Sequence, residues 1–236
     1  MNYTDFAKSF QEGYTFQYKV PYDEVNDVTF SVQPIGELIL TSGKLVACDP
    51  LLDPDLREYF TQELQPGRYP VILSIASFRQ RAEQRIACAM LRISNQPPVR
   101  WEIAPRAIDA LISDREEDIL GYGVDSGTGC FMDLDAAQVL HTIANPDSAA
   151  YEAAWRRNKE QAWGLSSAAL DRFEREYCDR LIAHMERNQV AAISDNYPYS
   201  RAGKWANIQI SDATEANVIA FNSGWGDGGY PSFWGY

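Results

Sequence analysis

Two short stretches of this sequence hold residues that could do chemistry. The first is Gly121-Tyr122-Gly123-Val124-Asp125-Ser126-Gly127-Thr128-Gly129-Cys130-Phe131-Met132-Asp133. The second is Asn222-Ser223-Gly224-Trp225-Gly226-Asp227-Gly228-Gly229-Tyr230-Pro231-Ser232-Phe233-Trp234-Gly235. Together they carry 9 of the 15 glycines, so the clustering exceeds what composition alone would give. Glycine reaches positive φ without strain and lets a ligand or another backbone come close. Asp125 and Asp227 each sit inside one stretch. Two readings follow. One is a pair of tight turns, with each Asp bonding its own backbone. The other is a shared ligand pocket built from Asp125, Thr128, Cys130, Asp133, Trp225, Asp227, Tyr230 and Trp234.

Named chemistries can be tested against these residues. The glycine spacing is not a dinucleotide fingerprint, and no Gly-Lys-Ser/Thr follows to make a phosphate loop. A backbone nest before the next helix could hold an anion, but Asp133 and Asp135 place negative charge there. Cys130 has His141 eleven residues on, a conceivable nucleophile and base. A reactive thiolate needs a cation or a helix N-terminus nearby, whereas the neighbours here are carboxylates. Asp125, Asp133, Asp135 and Asp227 could bind a hard cation from separate loops, although the calcium-loop pattern is absent. Paired carboxylates could also serve as acid and base in hydrolysis. Trp225, Tyr230, Phe233 and Trp234 fit recognition of sugar or protein, or edge packing that closes a core. No metal and no cofactor is assigned.

The elements that must position these residues are legible from pattern. A short helix with Thr4 as cap precedes strands over 14–20 and 28–32. Residues 37–40 and 44–48 flank Thr41-Ser42-Gly43, a hairpin signal. A short helix is expected over 54–63, then strands over 69–77, 85–93 and 99–104. Short links between them favour antiparallel pairing. A helix over 134–144 follows an acidic cap, and longer helices are expected over 146–163 and 166–188. The last carries Leu170, Phe173, Tyr177, Leu181 and Met185 on one face, the stripe of a helix packed on a core. Strands return at 190–193, 205–210 and 217–221. The expectation is one α+β domain over 1–236: a mainly antiparallel sheet, completed by the C-terminal strands, with helices from the middle of the chain packed on one face.

Charge narrows the partners. The chain has 33 Asp+Glu against 21 Lys+Arg, a formal net charge of −12. Nucleic acid and anionic membranes both demand a basic surface, so neither is an expected partner. A basic protein is, because opposite fields speed association. Asp114, Glu116, Glu117 and Asp118 form a candidate acidic contact patch. Cys48, Cys88, Cys130 and Cys178 make no Cys-x-x-Cys pair, which fits reduced thiols in a cytoplasmic protein.

The two glycine-rich stretches resemble the signature segments of the bacterial domain of unknown function family 4241. Gly36-Glu37-Leu38-Ile39-Leu40-Thr41-Ser42-Gly43-Lys44-Leu45-Val46-Ala47-Cys48-Asp49-Pro50 is similar to that family's opening hairpin. Pro66-Gly67-Arg68-Tyr69-Pro70-Val71 and Arg100-Trp101-Glu102 also fit. The likeness runs from about Gly36 to Tyr236, with residues 1–35 preceding it. Family members often continue with another strand past the Trp-Gly motif, a pattern from which this sequence departs at Tyr236, and the resemblance implies no particular activity. The expected function is a non-enzymatic acidic binding protein, of the immunity type that neutralises a toxin or another basic partner. A small-ligand or metal-dependent hydrolase at the two glycine-rich segments is the alternative, and a carbohydrate-recognition module a third.

Overall fold

The structure is a computed structural model that describes residues 5–19, 25–52, 55–81, 83–112, 121–144, 179, 205–210 and 215–236. Apolar residues alternate with polar ones along the first strands, which lets one face of a sheet be buried. These are β1 (Thr15–Lys19), β2 (Val25–Leu40), β4 (Gly67–Phe78) and β5 (Glu83–Leu91). They pair antiparallel in the order β1-β2-β4-β5. The 16-residue β2 changes register between Pro34 and Gly36. Proline cannot donate to the ladder, and a bulge is one of the few places a strand tolerates it.

Four further strands make a second antiparallel sheet, β3-β8-β10-β9. They are β3 (Leu45–Cys48), β8 (Thr128–Asp133), β9 (Trp205–Gln209) and β10 (Asn217–Asn222). Here alternation gives way to near-continuous burial: every residue of β3 is buried, as are five of six in β8 and in β10. A strand covered on both faces reads this way. One face meets the first sheet, with Leu38, Leu40, Val71, Leu73 and Ile75 sharing a core with Phe131, Trp205, Ile219 and Phe221. On the other face Val46, Cys48, Cys130, Met132 and Val218 pack with Ala136, Ala137 and Leu140 of α3 (Leu134–Ala144). Two ribbons complete the fold. β7 (Tyr122–Val124) pairs with β11 (Gly228–Tyr230), and β6 (Trp101–Ile103) with β12 (Phe233–Gly235). Short helices α1 (Phe6–Ser9) and α2 (Asp109–Ile112) are the remaining elements among the described residues.

The expected α+β class is overturned. Antiparallel strand dominates the described residues, with three short helices among them. The first sheet's apolar face is covered by the second sheet rather than by helices. The C-terminal strands likewise build that second sheet instead of completing the first. The helices expected over 146–163 and 166–188, the strand over 190–193 and the acidic patch Asp114, Glu116, Glu117 and Asp118 lie outside the described residues.

Two local expectations also change. The strands flanking Thr41-Ser42-Gly43 do not pair as a hairpin, because β2 joins the first sheet and β3 the second. Asp133 explains the turn: its buried carboxylate accepts from Ser42 N (3.2 and 3.1 Å), Gly43 N (3.2 Å) and Thr41 Oγ1 (3.1 Å). The same carboxylate takes Asp135 N (2.9 Å), the capping bond expected of α3. The described part of 54–63 is not helical but is stitched by single bridges, Val46 to Tyr59 and Phe60 to Arg106. Asp5 caps α1, accepting from Lys8 N at 3.2 Å; the expected cap Thr4 lies outside the described residues. Among the described residues no helix is long and apolar enough to cross a membrane.

Candidate functional site

The two glycine-rich stretches are zipped together. β8 lies against β10, from Met132 opposite Val218 to Thr128 opposite Asn222. Beyond their turns β7 lies against β11, with Val124 opposite Gly228 and Tyr122 opposite Tyr230. The turns at 125–127 and 223–227 are therefore neighbours, and Ser223 N donates to Gly127 O at 3.0 Å. Antiparallel register continued by one step sets Asp125 against Asp227. Both side chains are exposed, and neither makes an ion pair with a described residue.

Two glycines account for much of the tight fit. Gly121 (φ +85°) has Tyr230 O where a Cβ would reach 2.0 Å, and Gly224 (φ +73°) has Ile86 O at 2.5 Å. Both need positive φ, and both let the protein's own backbone, rather than a ligand, come close.

Side chains then fix the turns. Asp49, just past the end of β3, is 3% exposed. Its Oδ2 accepts from Asp125 N (3.0 Å) and Ser126 N (2.7 Å), and its Oδ1 from Ser126 Oγ (2.7 Å) and Leu51 N (3.0 Å). On the other turn Ser223 Oγ donates to Gly226 O at 2.7 Å. The Tyr230 hydroxyl reaches Gly226 O at 2.6 Å and also Ser223 O. Arg85 of β5 donates from Nη1 to Gly224 O at 2.8 Å.

This bracing presents Trp225, which is 54% exposed. The Arg85 guanidinium lies 3.9 Å from the Trp225 ring centroid, a cation–π contact. Phe78 meets the indole edge-on at 6.1 Å. Glu83 pairs with Arg85 Nη2 and, at 3.1 Å, with Arg81, so the Arg85 guanidinium is held through Nη2 by Glu83 and through Nη1 by Gly224 O. An indole fixed between a cation and a ring loses little freedom on meeting a partner.

The remaining candidates fall elsewhere. Thr128 stands opposite Asn222 beside the turns. Cys130 is fully buried, directly opposite Cys48, with the two sulfurs 3.8 Å apart. The contact with Cys130, reinforced by burial, pushes the Cys48 thiol well above its ordinary range. A fully buried thiol inside an apolar core is a packing group and not an exposed nucleophile. Asp133 ends β8 about 17 Å along the strand from Thr128, taking 3.4 Å per residue. Trp234 is partly buried and packs edge-on against Phe60 at 5.6 Å, whereas Trp225 packs on Phe78. No three His, Cys, Asp or Glu side chains among the described residues could hold a metal ion. Sequence reading missed Asp49 and Arg85, whose partners lie 76 and 139 residues away and leave no local pattern.

A family profile of proteins of unknown function, DUF4241, matches residues 38–236. The chain belongs to the DUF4241 family. No curated protein and no solved structure matches it. The DUF4241 match covers both sheets except for the strands before Leu38, and it includes Asp49, Arg85 and both glycine-rich turns.

Proposed function

We propose that this protein is a non-enzymatic binding protein whose paired turns dock a basic protein partner. Its finer role on this reading is that of a cytoplasmic immunity protein that neutralises a toxin. The observation that carries the proposal is Trp225, more than half exposed on a turn whose backbone is held by hydrogen bonds from Ser223, Tyr230 and Arg85. Trp and Arg dominate the binding energy of protein interfaces, and both stand here in contact. Asp125 and Asp227 flank them as exposed carboxylates free to meet a partner's cations. The net charge of −12 would draw such a partner in.

The test is affinity capture from the cells that make the protein, with wild type and Trp225→Ala compared side by side. A basic protein should be retained by wild type, weakened by the Asp125→Asn/Asp227→Asn double variant and lost from Trp225→Ala. Identical captures from all three would overturn the reading. One observation favours a second reading, a small-ligand or metal-dependent hydrolase: the register that sets Asp125 against Asp227. Calcium and magnesium titrations followed by Trp fluorescence separate the two, since only the second predicts a saturable change abolished in the double Asn variant.

A further inference from the structure

Cys48 and Cys130 face each other inside the second sheet. Cys48 ends β3, Cys130 lies within β8, and the two are directly opposite in antiparallel register. Such residues stand about 4.5–5.5 Å apart at Cα, inside the roughly 4.4–6.8 Å that a disulfide spans. Their sulfurs are 3.8 Å apart and already in contact. A bond of roughly 2.05 Å asks each sulfur to swing by only about 0.9 Å. The other described thiol, Cys88, stands opposite Ser74 in the first sheet and so faces a hydroxyl, not a sulfur.

Both members of the pair are buried, yet one edge gives access. β3 is four residues long and lies at the edge of its sheet. Among the described residues a single bridge, Val46 to Tyr59, holds its outer side. Short edge strands open at lower cost than the strands of a core.

We propose that Cys48 and Cys130 form a reversible cross-strand disulfide under peroxide, a redox-operated staple between β3 and β8. Contact with Cys130 and burial hold the Cys48 thiol protonated in the closed sheet, so oxidation runs through the opened edge. One thiol loses its proton there, and the thiolate sulfur attacks a peroxide oxygen. The O–O bond breaks, leaving a sulfenic acid and a hydroxide that takes up the released proton as water. Reclosure sets the second sulfur against the first. That sulfur gives up its own proton and attacks the sulfenic sulfur; the S–S bond forms, the S–O bond breaks, and the hydroxide leaves with the proton as a second water. The two thiols together lose two electrons to one peroxide. A dithiol reverses the bond by exchange.

The link would join positions 82 residues apart in the chain. It ties the residue before Asp49 to the strand that follows the turn at 125–127, and so locks the Asp49 brace beneath the amides it holds.

The test treats the reduced full-length chain with hydrogen peroxide, alkylates it, digests it without reductant and maps the peptides by mass spectrometry. The Cys48 and Cys130 peptides should be joined, two hydrogens lighter than their sum, and separated by dithiothreitol. Melting should rise by about 10 °C on oxidation, return on reduction, and stay put in Cys48→Ala. Alkylated thiols at both positions overturn the proposal. So do a link through Cys88 or Cys178 instead, sulfinic acid without a link, and a link that leaves melting unchanged. If Cys48→Ala does not fold, the wild-type peptide map and melting decide.

Discussion

Two buried aspartates, Asp49 and Asp133, perform one task at the two ends of β3: each gathers the amides of a tight turn that belongs to a distant part of the chain. A carboxylate can accept several charge-assisted bonds at once, which no neutral side chain of that size does as well. Truncating Asp49 to Ala strands Asp125 N, Ser126 N, Leu51 N and Ser126 Oγ. The expected cost is about 3 kcal/mol of stability, with Asp49→Asn recovering part of it. Urea denaturation measures both, and an Ala variant as stable as wild type would remove the brace from the account. Glu58 differs from these two in accepting from a single donor, Arg106 Nη1, at 3.2 Å. Burial raises its carboxyl to about 7, which predicts that wild-type stability falls by at most about 3 kcal/mol as pH rises from 4.5 to 7, a loss absent from Glu58→Gln.

At the scale of elements, strands were readable and their partition was not. Alternation located β2, β4 and β5, and the capping pattern gave α3 at residues 134–144. Periodicity says which face of a strand is buried but not which sheet buries it. Thr41-Ser42-Gly43 therefore read as a hairpin, when a carboxylate 90 residues away from Gly43 makes it a corner between two sheets. Asn217 was equally silent. Its side chain replaces strand pairing between the sheets, with Ile39 N donating to Oδ1 and Nδ2 donating to Glu37 O, both at 2.8 Å. Asn217→Leu keeps the volume but leaves those backbone groups unmet in a partly buried place, at about 2 kcal/mol. Thermal melting should show a fall of roughly 5–10 °C for a chain of this size. The glycine clusters did mark the paired turns, because tight turns and close backbone approach need that residue wherever they occur. Gly224→Ala should shift the turn through the clash with Ile86 O, displace Trp225 and so weaken partner binding although the indole itself is retained in the sequence. Unchanged binding in that variant would mean the geometry of the turn does not matter.

At the scale of the whole molecule, a two-sheet body gives rigid support to one projecting feature. The second sheet is packed on both faces, so its strands cannot drift, and β8 and β10 lead directly into the turns. On the proposed function, an acidic field over such a body would set the speed and sign of encounter, while the braced indole would set the strength of the contact. The most direct test is the affinity of Trp225→Ala for the captured partner, measured by calorimetry beside its melting temperature. The expected result is a loss of about 30-fold or more with melting unchanged, the signature of an interface anchor that the fold does not need. An affinity equal to that of wild type would contradict it.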